Sequence, residues 1–457
     1  MHLSALALSA LLSTATAWLP GEHKRIVSRD GLNLFDRKSL FDAGHLRKRF
    51  LPNNYGNDKG KIRGVNLGSL FVLENWLADD VMPGWGCPTT SEFDCVSALG
   101  QSQANADFQT HWGTWITAND FTQMVAYGLN SVRIPLGYWM YEAIVDSSEH
   151  FPQGGIEYLD KVVGYAKDAG IYVIIDLHGA PGAQATDADT GQLNTSPGFY
   201  GNYNYNRSYS FFEFMTDRIH TTDAYSTVGM VMLVNEPERT WDTGDYPNAV
   251  TNTQSMREIY YPTAWTTIRN TESSLNIADS DKLHIQMMDA LWSSGDPKQY
   301  LPDLTFAAYD DHEYVKYAAN LAVTKDAYMA YSCADDRSGN WPVIVGEWSL
   351  SVDTSVQWTS DWDPSTNVDW YKQWWAAQVL AYEKQAGWVF WTWKTTGNLN
   401  DPRWDYQKAV ALGIVDKDPD VAYSMGVCSD STKRSEAHSG RHPGTKWLAQ
   451  RRRRSHI

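Results

Sequence analysis

The stretch Tyr172-Val173-Ile174-Ile175-Asp176-Leu177-His178 is apolar and β-branched almost throughout, and it turns polar only toward its C-terminal end. A strand with one face in water alternates apolar with polar residues. A near-continuous apolar run is buried on both faces, as in a parallel sheet covered by helices. Seven more runs of this kind follow the same rule: Ile62-Arg63-Gly64-Val65-Asn66, Ser131-Val132-Arg133-Ile134-Pro135, Met230-Val231-Met232-Leu233-Val234-Asn235-Glu236, Leu283-His284-Ile285-Gln286-Met287-Met288, Thr305-Phe306-Ala307-Ala308-Tyr309, Pro342-Val343-Ile344-Val345-Gly346-Glu347 and Trp388-Val389-Phe390-Trp391-Thr392-Trp393. Longer helical or loop stretches separate them. Eight such units predict an α/β chain closed into a (β/α)8 TIM barrel, one domain with inserted loops. An open doubly wound sheet is the alternative. It normally carries a glycine-rich loop after an early strand, and none is present here.

In most runs the polar residues sit at the C-terminal end: Asn66, Arg133, His178, Asn235 with Glu236, His312 shortly after the sixth, Glu347 and Trp391. A barrel gathers all those ends on one face, where active sites are built. The pattern therefore predicts one cleft holding two glutamates, two histidines, an arginine and several aromatics.

The chain has 457 residues, with 21 Trp and 25 Tyr. Aromatic surplus serves a large core, and flat aromatic faces also stack on sugar rings. The net charge of −16 argues against nucleic acid or an anionic membrane as the main partner. Residues 1–17 read as a signal peptide, apolar through Leu12 and closing on Ala15-Thr16-Ala17, so a secreted, extracellular or cell-wall protein is expected. Residues 18–60 are polar, with Lys24-Arg25 and Arg47-Lys48-Arg49, and form an N-terminal arm or propeptide. Residues 429–457 are basic, close on Arg451 to Arg454 and are expected to be disordered. The catalytic domain then spans 61–428.

Outside the cytosol an even cysteine set is expected to form disulfides. Of three pairings, Cys87 with Cys95 and Cys333 with Cys428 is favoured, because the first two share a short Gly/Pro/Thr/Ser-rich loop. A zinc site is the rival, without a close cysteine–histidine spacing to support it. Asn194-Thr195-Ser196 and Asn206-Arg207-Ser208 are N-glycosylation sequons in a Gly/Asn/Tyr-rich stretch that reads as a surface loop.

Asn235-Glu236-Pro237 and Gly346-Glu347-Trp348 each end an apolar run. A single glutamate there can be structural, but two suit glycoside hydrolysis, which needs one protonated and one ionised carboxyl group flanking the scissile bond. With Ser131-Val132-Arg133-Ile134-Pro135, Asp176-Leu177-His178-Gly179, His312-Glu313-Tyr314, Gly346-Glu347-Trp348-Ser349 and Phe390-Trp391-Thr392-Trp393-Lys394 in this order, the chain resembles glycoside hydrolase family 5 over roughly residues 60–425. The resemblance implies Glu236 as general acid/base and Glu347 as nucleophile in a retaining mechanism. It places Arg133 and the Tyr314 phenol beside Glu347, where both would lower its pKa. It also implies that Asn235 bonds the sugar 2-hydroxyl, that His178 and His312 bind hydroxyls or hold the carboxylates, and that Trp391 floors the sugar site. Taken alone, each histidine is more often structural.

The segment Gly64-Val65-Asn66-Leu67-Gly68-Ser69-Leu70-Phe71-Val72-Leu73-Glu74-Asn75-Trp76 is similar to the opening of fungal exo-β-1,3-glucanases, in which the equivalent of Glu74 helps bind the terminal sugar. Gly68-Ser69-Leu70-Phe71 replaces their Gly-Gly-Trp-Leu, and Lys394-Thr395-Thr396 lacks the Glu they carry after Lys-Thr. The Gly-Ser-Leu-Phe form resembles the related endo-β-1,6-glucanases instead. The expectation is a retaining endo-β-1,6-glucanase acting as a monomer on a β-glucan polysaccharide, without cofactor or metal. An exo-β-1,3-glucanase or glucan transglycosylase is the alternative. Asp310-Asp311-His312-Glu313 with His178 suggests a metal-dependent barrel hydrolase, but the first strand ends in Asn66-Leu67-Gly68 rather than the His-x-His such sites use. A non-catalytic sugar-binding protein on this fold would be expected to lose a carboxylate, and both are present.

Overall fold

The computed structural model describes residues 60–428 apart from 89, 195, 245 and 338. The expected leader (1–17), the arm up to residue 59 and the basic tail (429–457) lie outside the described residues. Eight parallel strands close into a barrel in chain order: β1 Ile62–Asn66, β2 Ser131–Gly137, β3 Tyr172–Gly179, β4 Val228–Met232, β5 His284–Met288, β6 Ala307–Glu313, β7 Val343–Trp348 and β8 Gly387–Phe390. Helices such as Gly155–Ala169 and Val368–Tyr382 connect them, and no helix among the described residues is long and apolar enough to cross a membrane.

Strand periodicity sorts the apolar residues into two cores. In β3, Tyr172 and Ile174 point into the barrel, where they pack with Ile62, Met230, Ala308, Ile344 and Val389. The alternate residues Val173, Ile175 and Leu177 point outward into a much larger core shared with Leu159, Val162 and Ala166 of helix Gly155–Ala169. The inward row continues up the strand as Asp176 and His178. The polar strand ends are thus extensions of the lumen-facing row.

β7 breaks this rule once. Val343 and Val345 face the outer core and Ile344 faces the lumen, so strict alternation would send Glu347 outward. Instead the β6–β7 register shifts between Asp311 and His312: Asp311 pairs with Val345, and His312 pairs with Glu347. Gly346 is the extra residue of a bulge, and Glu347 turns inward while Trp348 takes the outward place. Only glycine fits there, because a Cβ on residue 346 would lie 2.0 Å from Asp310 Oδ1.

The structure revises the sequence reading at several points, among them the end of β8, which closes at Phe390 rather than Trp393. β4 ends at Met232, although backbone bonds from Leu233 to Gln286 (2.9 Å) and from Asn235 to Leu177 (3.0 Å) carry the extended chain almost to Glu236. β6 begins and ends later than expected, so His312 lies within the strand. Its acidic run hid this, but Asp310 accepts a bond from Gly346 N (2.9 Å) and Asp311 is paired with Arg337. The sequon at Asn206 stands on the helix Asn202–Thr221, which buries Tyr205, Ser208, Phe212 and Met215 at helical spacing; Asn194 alone lies in a loop. Both favoured disulfides, Cys87–Cys95 and Cys333–Cys428, are formed.

Candidate active site

Arg133, fully buried at the top of the lumen, organises the polar layer. Its Nη1 donates to Asn66 Oδ1 and to Glu347 Oε1, both at 3.0 Å, and its Nη2 donates to Asn235 Oδ1 at 2.7 Å. The same guanidinium stands 3.0 Å from Asp176 and 3.7 Å from Asp310. One cation therefore serves three carboxylates as well as two amides.

Glu347 receives a second bond, from the Tyr314 hydroxyl to Oε2 at 2.9 Å. His312 Nδ1 lies 2.8 Å from Glu236 Oε1 and 3.5 Å from Glu347 Oε2. One ligand atom each of Glu236, His312 and Glu347 all fall within 4.8 Å of one another. Glu236 itself adopts φ +37°, a left-handed conformation that costs a non-glycine residue about 1 kcal/mol or more and is tolerated where surrounding structure imposes it. The Trp292 indole donates to the Pro237 carbonyl at 2.8 Å, bracing the turn that carries Glu236.

On the opposite side, His178 Nδ1 is 2.8 Å from Asp176 Oδ2, and its Nε2 is 3.9 Å from Glu74 Oε1. The Trp76 indole donates to Glu74 Oε2 at 2.8 Å, and Ser69 Oγ accepts from the Glu74 amide at 3.1 Å. Trp391, just beyond β8, stacks on His178 at 5.7 Å between ring centroids and packs with Leu77 and Trp404. All nine residues expected in the site thus join one contact network. Sequence reasoning left out Asp176 and Asp310, which share Arg133, and Trp404, which packs on Tyr314 at 5.5 Å. The two-residue spacing of Asp176 from His178 and of Asp310 from His312 was the available signal for the two acids.

Burial pushes the Glu347 carboxyl up, and proximity to Glu236 adds to this. His312 and Arg133 oppose the shift without reversing it. This corrects the expectation that its donors would hold it low. Complete desolvation, with the charge of Glu236, therefore outweighs the cations beside Glu347. Burial would lower His312, but the charges of Glu347 and Asp310 and the bond to Glu236 outweigh it and hold the ring well above its ordinary value. The Tyr314 phenol is pushed up by burial and by Glu347, and so remains a donor.

Two carboxyl groups with oxygens within 4.8 Å of each other at the C-terminal mouth of a (β/α)8 barrel, with cations and aromatics around them, define the chain as a glycoside hydrolase. The cellulase family, glycosyl hydrolase family 5, matches residues 96–397. The glucan endo-1,6-beta-glucosidase B of Emericella nidulans is 52% identical over 420 residues, covering 91% of this chain and 98% of its own. The glucan 1,3-beta-glucosidase 2 of Wickerhamomyces anomalus is 30% identical, over 91% of this chain and 96% of its own. Among solved structures, the rutinosidase from Aspergillus niger has the same fold, with a TM-score of 0.60 at 21% identity over 78% of this chain and 98% of that one. The chain belongs to glycoside hydrolase family 5.

Proposed function

We propose that the protein is a secreted endo-β-1,6-glucanase that cleaves with retention of configuration through a covalent glycosyl-enzyme. The observation that carries the mechanism is the approach of Glu236 and Glu347 carboxyl oxygens to within 4.8 Å, since retaining enzymes hold the two groups about 5 Å apart and inverting ones leave room for a water. The linkage rests on the 52% identity to a glucan endo-1,6-beta-glucosidase, against 30% for a 1,3-glucosidase. Two disulfides suit an oxidising compartment. Residues 61–428 form the catalytic domain, which acts as a monomer.

In this reading Glu347 attacks the anomeric carbon and Glu236 protonates the departing oxygen. His312, protonated and 2.8 Å from Glu236, shares the proton that Glu236 delivers. Once Glu347 is esterified its charge is gone, and Glu236 then takes the proton from the water that releases the sugar. Asn235, held by Arg133, meets the 2-hydroxyl. Glu74 and His178 bind hydroxyls of the glycone, and Trp391 lies beneath its ring.

Digesting pustulan and laminarin side by side and sizing the products tests this. The expected result is pustulan cut to mixed oligosaccharides with the β-configuration retained at first release. Release of glucose alone from laminarin would transfer the assignment to an exo-β-1,3-glucanase.

The cluster of Glu236, His312 and Glu347 also has the spacing of a metal set. Positive charge at those carboxylates already comes from Arg133 and the protonated His312, which disfavours a cation there. Activity is accordingly expected to survive exhaustive chelation.

A further inference from the structure

Trp358 is 73% exposed, the most exposed large hydrophobic side chain among the described residues. It stands in the loop that follows β7, and the cleft it lines, about 770 Å³, also draws on the loop that follows β8 through Asn400, Asp401 and Arg403. Both loops leave C-terminal strand ends, the end of the barrel that carries the glutamates, and the cleft also takes in Lys408, Ala411 and Leu412 of the helix Tyr406–Leu412. This is not a loosely dangling side chain. The Arg403 guanidinium lies 5.3 Å from the centroid of the Trp358 ring. Arg403 is itself 1% exposed, donates through Nε to both Asp401 oxygens (2.7 and 3.0 Å) and through Nη1 to the Gln357 carbonyl (2.8 Å). Gln357 Nε2 closes the ring of contacts on Asp401 at 3.1 Å. The backbone bond from Leu350 to Arg403 (3.0 Å) ties the two loops together.

The arrangement continues into the catalytic site. Arg403 precedes Trp404, whose ring packs on Trp76 and Tyr314, and Tyr314 holds Glu347. An exposed aromatic ring braced by a buried ion pair, beside amide and carboxylate groups, has the chemistry that receives a sugar: the ring stacks on apolar C–H faces while the polar groups bond hydroxyls. We propose that Trp358 is a platform for a glucan segment beyond the sugars at the catalytic centre, giving the enzyme extra hold on long chains. The proposal rests on the reading that the substrate is β-glucan.

The test compares wild type, Trp358→Ala and Trp358→Phe on pustulan and on an aryl β-glucoside too short to reach the platform. Trp358→Ala is expected to raise KM for pustulan about tenfold, with kcat and all constants on the short substrate unchanged, and Trp358→Phe to recover most of the loss. Affinity electrophoresis of the inactive Glu347→Gln form through pustulan should show the same retardation, lost when Trp358→Ala is added. Unaltered pustulan KM and retardation in Trp358→Ala overturn the platform while leaving the glucanase reading intact. An equal loss on both substrates also overturns it, because it would mean damage to the catalytic centre. Failure of wild type to cut or bind any β-glucan removes the substrate reading and the platform with it.

Discussion

Arg133 Nη1 stands 3.0 Å from Glu347 Oε1, although 214 positions separate the two residues. This contact joins β2 to β7 across the barrel mouth and is, with His312, one of the cationic contacts that oppose the effect of burial on Glu347. Arg133 also faces Asp176 and Asp310.

The pH profile follows from the burial that raises Glu347. Glu347 is active as a carboxylate and its pKa is raised, so it protonates at higher pH than an ordinary glutamate at about 4.3. The acid limb of kcat/KM is expected above that value. Tyr314→Phe removes a bond to the ionised form and should move the limb further up. A limb at ordinary glutamate pH that ignores Tyr314→Phe would contradict the assignment.

Stability should run opposite to activity at the same residue. A carboxyl whose folded pKa is raised contributes stability while protonated, below its unfolded pKa, and that contribution is lost as pH rises through the folded pKa. Above its unfolded pKa Glu347 therefore costs the fold stability. Glu347→Gln is expected to be inactive yet to melt higher than wild type at pH 7, with the gap closing toward pH 4. Calorimetry at both pH values measures it, and a lower Tm for the variant at pH 7 would refute it.

Glu236→Gln should lose about 100-fold or more on a natural glucan, the usual contribution of a general acid. An aryl glycoside with a good leaving group needs little protonation, so formation of its glycosyl-enzyme should be far less impaired, with added azide accelerating release. Equal impairment on both substrates would remove Glu236 from the acid role.

The outer face of β6 offers a structural test. Asp311 and Glu313, which flank His312, are both paired with buried Arg337, and burial lifts the Glu313 carboxyl to about 7 despite that partner. Arg337→Met leaves two buried acids without their cation and should cost about 3–5 kcal/mol. Adding Asp311→Asn and Glu313→Gln should return most of it. Denaturant unfolding of the single and triple variants decides the matter, and a triple variant no more stable than the single one would rule this account out.

Much of the molecule is legible in the chain because burial on both faces leaves a local imprint. Apolar runs marked every strand, and their polar ends marked Arg133, His178, Glu236, Glu347 and Trp391, since a strand end at the barrel mouth is where a buried row meets solvent. Loop spacing marked the Cys87–Cys95 disulfide, and Cys333 with Cys428 followed as the remaining pair. The late ends of β6 were not, because Asp310 and Asp311 look like a loop until Gly346 and Arg337, distant in sequence, satisfy them.

What the sequence determined by itself, then, was the barrel and the identity of the residues at its mouth. Only the tertiary structure decided which way they point and what charge they feel. Alternation along β7 would have turned Glu347 away from the lumen; the bulge at Gly346 turns it in, and only glycine fits at that bulge because Asp310 of the neighbouring strand occupies the space a side chain would need. The raised pKa of Glu347 likewise comes from burial and from the charge of Glu236, against the opposing His312 and Arg133, a sum over neighbours that no stretch of the chain contains.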